Sequence, residues 1–222
     1  MKEEYYSHSS LDRQAQIFLR EVMPLRAHHK MQLNFAKVAL LVIDLQKFFF
    51  DRRSHAYVPS MSAIIPRVLK LQDYCLHNGI KVIQTCHSNT ADNAGMMAKW
   101  WYNHVLAATD PRVEIIEEIA QPEIKPIAKS QYDAFYHSVL ASVLRAYGIE
   151  QLIITGVMTH LCCETTARVA FTRGYEVFFC IDGTATYNRS FHLGSLLNLA
   201  HGVAIPMLVA EVIEQLENSK KI

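Results

Sequence analysis

The chain has 222 residues, 50% of them hydrophobic, and its formal charges nearly cancel at +1. This length allows one large domain with a substantial core. The near-neutral balance gives no electrostatic footprint for nucleic acid or for an anionic membrane. No stretch reaches the roughly 18 consecutive apolar residues of a membrane span. The acidic N-terminus, MKEEYY, also lacks the apolar core of a secretory signal.

The five cysteines stand at positions 75, 86, 162, 163 and 180. Their number is odd and no pair has CxxC spacing, so we expect reduced thiols in a cytoplasmic protein rather than a disulfide framework. We interpret Cys75, Cys86, Cys163 and Cys180 as packing residues, because cysteine is among the residue types most often buried.

Residues 1–34 are polar and irregular, apart from one predicted helix at 11–22 that Pro24 should end. We interpret this segment as an N-terminal arm that packs on the body of the protein or on another subunit. Residues 35–222 form the predicted main domain.

From residue 38 onward, β-branched apolar runs alternate with helical patterns. The predicted strands are 38–45, 81–86, 125–129, 151–155 and 175–181, with a short one near 203–205. The predicted helices are 64–77, 135–147, 164–172, 191–201 and 208–216. This alternation is typical of a doubly wound, Rossmann-like α/β fold, with a parallel sheet and helices on both of its faces.

In such sheets, functional residues collect at the carboxyl ends of the strands. Asp44 and Lys129 end the first and third predicted strands, His87 follows the second, Cys162 follows the fourth, and Asp182 ends the fifth. The sequence therefore predicts that acid, base and thiol groups meet at one edge of the sheet.

Cys162 lies in the segment TGVMTHLCC, which occupies residues 155–163 and leads into a predicted helix. A cysteine at a strand-to-helix turn lies near free backbone N–H groups and the positive end of the helix dipole, which favour the thiolate. Taken singly, Cys162 could be a buried structural cysteine, Asp44 a helix cap or salt-bridge partner, and Lys129 a surface lysine. Together they suit nucleophilic catalysis. An ammonium group favours the thiolate, and a carboxylate can take the thiol proton and pass it to a departing amine.

Three motifs carry a resemblance to a known family: ALLVIDLQ at 39–46, AKSQYDAF at 128–135 and GVMTHLCCETTA at 156–167. With them, the chain resembles the isochorismatase-like cysteine hydrolases from about residue 35 to residue 212. The resemblance implies a six-stranded parallel sheet in the order 3-2-1-4-5-6 and assembly as a homodimer or homotetramer.

The resemblance also implies a catalytic triad of Asp44, Lys129 and Cys162. In the implied mechanism, Cys162 attacks a carbonyl carbon after Asp44 takes its proton, Lys129 stabilises both charges, and water activated by Asp44 cleaves the thioester. A cis peptide before Met158 is implied as well, with an oxyanion hole formed by the backbone N–H groups of Met158 and Cys162. The predicted substrate-pocket residues are His87, Trp100, Trp101, Phe135, Thr159 and His160.

Departures from the family pattern bear on the substrate. Nicotinamidases of this family carry a metal site with an Asp-x-His element after the second strand, which here reads Thr85-Cys86-His87. Because the acidic ligand is missing, we expect neither a metal nor another cofactor, and we interpret His87 as a pocket wall or hydrogen-bond donor. Isochorismatases bind a substrate carboxylate with an arginine shortly before a lid tryptophan, and the corresponding residue here is Asn93. These departures favour an amide substrate, although His160 and the arm resemble the isochorismatase branch.

The pair Trp100-Trp101 has two interpretations. The tryptophans could pack a helix over the edge of the sheet, or they could form an aromatic lid that excludes water from a thioester. We expect one tryptophan in each role. His28, His29 and His55 are interpreted as surface residues, because no third ligand for a metal is evident.

The leading hypothesis is a metal-independent cysteine hydrolase that acts on a small amide, ureide or carbamoyl compound. The second is isochorismate hydrolysis, a vinyl-ether cleavage that would survive the loss of the Cys162 thiol. The third is a non-catalytic binding member of the family, in which Cys162 would have ordinary reactivity.

Overall fold

The structure is a computed structural model and describes residues 1–221. Its sheet has six strands, all paired in parallel, in the order β3-β2-β1-β4-β5-β6. The strands are β1 (Val38–Ile43), β2 (Lys81–His87), β3 (Ile127–Lys129), β4 (Gln151–Val157), β5 (Glu176–Ala185) and β6 (Ala204–Met207). The predicted fold class and strand order are confirmed.

Helices cover both faces of this sheet. They are α1 (Leu11–Arg26), α2 (Lys47–Phe50), α3 (Met61–His77), α4 (Met96–Trp100), α5 (Leu140–Ala146), α6 (Glu164–Thr172), α7 (Arg189–Gly202) and α8 (Val209–Lys220). α3 packs against α8 and the sheet, whereas α1 and α6 both pack against α7. Within residues 1–221, no helix combines the length and apolar character needed to cross a bilayer.

The central strands β1 and β4 are buried along their whole length. This explains why both read as near-continuous apolar runs, because a strand covered on both faces has no solvent-facing side. The strand order reverses between these two neighbours, and the crevice at such a reversal is where doubly wound sheets place their ligands.

Helix α1 runs to Arg26 with Pro24 inside it, so the predicted stop at Pro24 is wrong. A proline removes one helical N–H, here the partner of the Arg20 carbonyl. Arg20 is exposed, so water can satisfy that carbonyl and the last turn continues.

Helix α5 is shorter than predicted and begins at Leu140 rather than at residue 135. The N–H of Phe135 donates to the Asp133 carboxylate at 2.8 Å, which makes a local turn. His137 then adopts a φ of 46°, which a right-handed helix cannot contain.

Strand β5 extends to Ala185, so Asp182 lies within it rather than at its end. The Asp182 carboxylate accepts a hydrogen bond from the N–H of Val209 at 2.7 Å and lies 3.8 Å from the Arg67 guanidinium. Asp182 therefore anchors the start of α8 and does not join the other strand-end residues.

The N-terminal arm packs on the body of its own chain. Helix α1 contacts α7, β5 and β6. Tyr6, Leu11, Phe18 and Val22 are buried in the same apolar core as the sheet. The division of the chain between residues 34 and 35 remains a prediction.

Candidate active site

The topology brings three of the predicted residues together at the carboxyl edge of the sheet. Asp44 directly follows β1, and Cys162 lies in a π-helical turn, Thr159–Cys163, between β4 and α6. Lys129 is the last residue of β3 and pairs in register with His87 at the end of β2. The side chain of Lys129 reaches past β2 to both Asp44 and Cys162.

Asp44 is held in an unusual conformation by hydrogen bonds to its neighbours. Its φ is 52°, in the left-handed region that aspartate tolerates better than most residues. Its N–H donates to the Thr85 carbonyl at 3.2 Å, and its own carbonyl accepts the N–H of Gln46 at 2.8 Å. The Thr85 hydroxyl donates to Asp44 Oδ1 at 2.8 Å. These bonds direct a fully buried carboxylate towards Lys129.

Lys129 has an acceptor for each of its three N–H donors. Nζ lies 2.7 Å from Asp44 Oδ2, 2.9 Å from the Gln131 carbonyl and 3.2 Å from Cys162 Sγ. Burial opposes the charged form, but Asp44 and Cys162 outweigh it and raise the pKa of Lys129 above its ordinary value. The group is therefore an ammonium in the folded protein.

The protonation of the Cys162 thiol depends on opposing effects of burial and of the two neighbouring charged groups. Burial raises the pKa of the Cys162 thiol to about 12; Lys129 lowers it, but the Asp44 carboxylate raises it again. Loss of solvent therefore outweighs the favourable turn position. Apart from the Lys129 contact, Asp44 Oδ2 has no well-formed hydrogen bond within residues 1–221. This oxygen therefore has a lone pair available to accept a proton.

The raised pKa of the Cys162 thiol predicts how its alkylation depends on pH. Because the pKa of Cys162 is about 12, its rate of labelling by iodoacetamide should keep rising between pH 7 and pH 10 without reaching a plateau. The measurement is peptide-resolved mass spectrometry at each pH. In protein unfolded with urea, the same cysteine should titrate near the ordinary value of about 8.5. A plateau above pH 9 in the folded protein would contradict this assignment.

The sulfur of Cys162 opens onto a narrow cavity of about 60 Å³. Its walls are apolar, aromatic or histidine side chains, and none of the lining residues within the described chain is Lys, Arg, Asp or Glu. The lining residues are Phe48, Phe49, His55, Ala56, His87, Met97, Trp101, His104, Val105, Leu106, Tyr132, Met158, Leu161, Cys162 and Tyr187.

Two of the lining histidines have lowered pKa values. Burial, assisted by Lys129, lowers the pKa of His87 to about 4 although Asp44 opposes the shift. Burial and the neighbouring His104 lower the pKa of His55. His87 is therefore neutral at pH 7, and its Nδ1 has no hydrogen-bond partner within residues 1–221.

The two tryptophans lie in different environments. Trp101 lines the cavity, and its Nε1 donates to the Tyr132 hydroxyl at 2.9 Å, which ties the 88–112 segment to the residues after β3. Trp100 is 69% exposed and does not line the cavity. Trp101 therefore has the position expected of the tryptophan at the pocket. Trp100 does not have the core-packing position expected of the other, because it is mostly exposed.

Three other predicted pocket residues lie outside the cavity lining. Phe135 stacks on Tyr175, with the ring centres 5.9 Å apart. The Thr159 hydroxyl lies 3.2 Å from Nδ1 of His192. The His160 ring stacks on Phe191 at 4.5 Å, and its Nδ1 contacts the Thr186 hydroxyl.

Comparison of the sequence with known families identifies the family of this chain. The sequence profile described as the Isochorismatase domain matches residues 38–211. The chain belongs to the isochorismatase family. It is accordingly a hydrolase, and its family acts on small molecules.

Individual relatives within the isochorismatase family agree with this assignment. Nicotinamidase 3 of Arabidopsis thaliana is 38% identical over 179 residues, which cover 79% of this chain and 86% of that protein. Enterobactin synthase component B of Escherichia coli is 30% identical over 166 residues, covering 74% of this chain but 58% of that protein. A solved cysteine hydrolase from Pseudomonas syringae pv. phaseolicola superposes with a TM-score of 0.81 at 29% identity, covering 86% of this chain and 97% of the other.

The cis peptide expected before Met158 is present in the structure. The Val157–Met158 peptide is cis, as the resemblance implied. The N–H of Met158 donates to no protein acceptor within residues 1–221. Both Met158 and Cys162 line the cavity, and their role as an oxyanion hole remains a prediction.

The side chains at Thr85, Cys86 and His87 do not match the Asp-x-His metal ligands expected of the family's nicotinamidases. Thr85 stands where the acidic ligand would be, and its hydroxyl is already bound to Asp44 Oδ1. Among residues 1–221, no group of three or more His, Cys, Asp or Glu has the arrangement to hold a metal ion.

Sequence reasoning missed most of the cavity wall. His55 is exposed, as predicted, yet its ring also lines the cavity together with Phe48, His104 and Tyr187. Phe48 lies in the short helix α2, and the other three side chains come from irregular segments in which direction cannot be read from spacing. Tyr132 could have been found, because it follows Lys129 by three positions within the AKSQYDAF motif.

Proposed function

We propose that this protein is a cysteine amidohydrolase that releases ammonia from a small, uncharged amide. One observation carries the proposal. A buried cluster of Asp44, Lys129 and Cys162 opens onto a cavity without charged walls. The cluster supplies a nucleophile, a proton acceptor and a fixed cation, and the cavity selects a neutral substrate.

The reaction begins from the neutral thiol. Asp44 Oδ2 takes the proton of Cys162 as the sulfur bonds to the amide carbon, and the ammonium of Lys129 stabilises the charge that develops on the sulfur. The backbone N–H groups of Met158 and Cys162 bind the resulting oxyanion. Asp44 then delivers the proton to the amide nitrogen, the C–N bond breaks, and ammonia leaves a thioester on Cys162.

Water completes the cycle. Asp44, again a carboxylate, takes a proton from a water molecule that attacks the thioester carbon. The C–S bond breaks, the sulfur recovers the proton from Asp44, and the product leaves as a carboxylic acid. The resting thiol and carboxylate are restored, and Lys129 keeps its charge throughout because its pKa is raised.

The uncharged walls support an amide over isochorismate. Isochorismate carries two carboxylates, and burying a carboxylate without a paired cation costs several kcal/mol. The Lys129 ammonium is already paired with Asp44. Arg112 and Lys2 lie against the rings of Phe48 and Tyr187 and do not line the cavity. Asn93, at the position of the isochorismatase arginine, accepts a hydrogen bond from the N–H of Thr90 instead.

Aromatic walls favour an aromatic carboxamide over a ureide, whose many polar groups would lack partners. Nicotinamide is the first candidate, because the Arabidopsis relative is a nicotinamidase. The cavity of about 60 Å³ is smaller than the cavity of about 150 Å³ that accommodates benzene in an engineered protein. We therefore expect the cavity to widen when an aromatic carboxamide binds.

Cytoplasmic location and assembly as a homodimer or homotetramer remain predictions. The cytoplasm keeps thiols reduced, and all five cysteines are free. Exposed apolar side chains near the site, including Met96 and Trp100, supply surface that a second subunit could cover.

The test is ammonia release by the purified enzyme from a panel of nicotinamide, benzamide, allantoin, N-carbamoylglycine and isochorismate, with the last followed by loss of its vinyl ether. We expect turnover of an aromatic carboxamide and an acyl adduct on Cys162 after rapid acid quenching, located by mass spectrometry. Turnover of isochorismate alone, or amide turnover with the adduct on another residue, would refute the proposal.

A further inference from the structure

The N-terminal arm supports two walls of the active-site cavity from behind. Lys2 Nζ donates to the carbonyl of His55 at 2.6 Å and lies 4.6 Å from the centre of the Tyr187 ring. The N–H of Glu3 donates to the carbonyl of Tyr187 at 2.7 Å. Because His55 and Tyr187 line the cavity, residues 2 and 3 contact its wall without entering it.

A second path leads from the arm to the turn that carries Cys162. The hydroxyl of Tyr5 accepts the N–H of Thr186 at 3.0 Å and lies 2.9 Å from Nδ1 of His192. The hydroxyl of Thr159, the first residue of the π-helical turn, lies 3.2 Å from the same nitrogen. His192 therefore connects the arm to the turn that contains the nucleophile.

His192 is a fixed neutral partner in this path. It is fully buried, and burial lowers its pKa to about 3. The rings of Tyr5, Tyr6 and Phe18 surround it, with centre-to-centre distances of 5.3, 5.4 and 4.8 Å. All three aromatic residues belong to the arm, so the arm holds the imidazole in place.

We propose that residues 2–5 position the active site: Lys2 and Glu3 fix the cavity wall, and Tyr5, through His192, fixes the turn that carries Cys162. The segment lies outside residues 38–211, which the family profile matches. It therefore gives this chain a determinant of substrate fit that the family domain does not contain. The kinetic part of this proposal rests on the proposed amidase activity.

Two single substitutions with matched controls test the proposal. Lys2→Met removes the donor and the cation, and Tyr5→Phe removes only the hydroxyl. Lys30→Met and Tyr147→Phe make the same chemical changes at exposed positions. We expect Lys2→Met to raise KM about three- to tenfold with little change in kcat, and Tyr5→Phe to lower kcat by a similar factor, as the loss of one hydrogen bond predicts. Lys2→Arg, which keeps a donor and a charge, should restore the wild-type KM.

Alkylation of Cys162 provides a readout that does not depend on amidase activity. Loosening the wall or the turn should speed labelling of Cys162 by iodoacetamide in both arm variants, and the two controls should match the wild type. If KM, kcat and the labelling rate all stay at control values, the proposal is wrong, even if the melting temperature falls. If the wild type hydrolyses no amide, the proposed function fails, and the labelling rates alone decide the role of the arm.

Discussion

Replacing Asp44 by asparagine should lower kcat for amide hydrolysis by about 10³-fold or more, as expected when the group that moves the proton is lost. Asparagine has nearly the shape of aspartate, but it cannot take the proton of a thiol. The substitution also removes a charge that raises the pKa of the Cys162 thiol, but without the carboxylate no group protonates the amide nitrogen as ammonia leaves. The measurement is single-turnover release of ammonia with saturating amide, which separates chemistry from substrate binding.

The same substitution should destabilise the fold, because it leaves the Lys129 ammonium buried without its carboxylate. Removing one partner of a buried ion pair costs about 3–5 kcal/mol. The amide oxygen of asparagine can still accept one hydrogen bond, so we expect the lower end of that range. Urea unfolding at pH 7 measures the difference from the wild type.

The loss of stability in Asp44→Asn should depend on pH, because the pKa of Lys129 is raised in the wild type. In the wild type, the pKa of Lys129 is raised, so its contribution to stability is complete below its unfolded value of about 10.4 and is lost as the pH rises above that value. In Asp44→Asn, the largest effect that offsets burial is lost, so the pKa of Lys129 falls relative to the wild type. The stability difference between variant and wild type should therefore be larger at pH 7 than at pH 10.

Two further variants separate charge from shape. Thr85→Val removes only the hydroxyl that donates to Asp44 Oδ1 at 2.8 Å, and should cost much less activity than Asp44→Asn. The double variant Asp44→Asn/Lys129→Met removes the unpaired charge. It should regain stability relative to Asp44→Asn while remaining inactive. An active Asp44→Asn enzyme would show that the carboxylate does not move the proton.

The residues at the strand ends were predictable, because each buried parallel strand has the same apolar pattern and ends at the same edge of the sheet. This places Asp44, His87 and Cys162 without further information. Lys129 lies on a strand of only three residues, Ile127–Lys129, which is too short for a pattern. The strand was predicted at 125–129, but only the AKSQYDAF motif favoured a catalytic Lys129 over a surface lysine.

The cavity wall and the raised pKa of the Cys162 thiol were not predictable, because both depend on packing between distant segments. Trp100 and Trp101 are adjacent, and consecutive positions of a helix differ by about 100° in direction. Only the packing of α4 decides which one faces the cavity. In the same way, the sequence shows that Cys162 lies at a turn but does not show its burial, which sets the pKa of the thiol.

Replacing Gly156 by alanine should unfold most of the protein or reduce its stability by more than about 4 kcal/mol, a loss comparable to the whole stability of many domains. Gly156 pairs in register with Ile43, the residue before Asp44. A Cβ atom at Gly156 would lie 2.0 Å from the Ile43 carbonyl oxygen and 2.7 Å from its carbonyl carbon and its nitrogen. These are backbone atoms of a fully buried strand, so they cannot move aside as a flexible side chain could.

Gly174→Ala is the matched control for this substitution. Both glycines have positive φ, 116° at Gly156 and 89° at Gly174, but a Cβ at Gly174 would meet nothing within 4 Å. The control therefore has only the conformational cost of a left-handed alanine, about 1–2 kcal/mol. The difference between the two variants in urea midpoint and soluble yield measures the cost of the clash with Ile43. Equal midpoints would show that β1 and β4 can separate at little cost.

Activity should fall in any Gly156→Ala molecules that do fold, because the clash acts between the two strands that precede the proposed catalytic residues. Asp44 follows β1, whereas Met158 and Cys162 follow β4. Separating these strands moves the proton acceptor away from the sulfur, and a displacement of about 1 Å can cost about 10²-fold in rate. The soluble fraction of Gly156→Ala should therefore show a lower kcat than Gly174→Ala at the same concentration of folded enzyme. The close approach of Gly156 to Ile43 would then be needed for the spacing of the catalytic groups as well as for the fold.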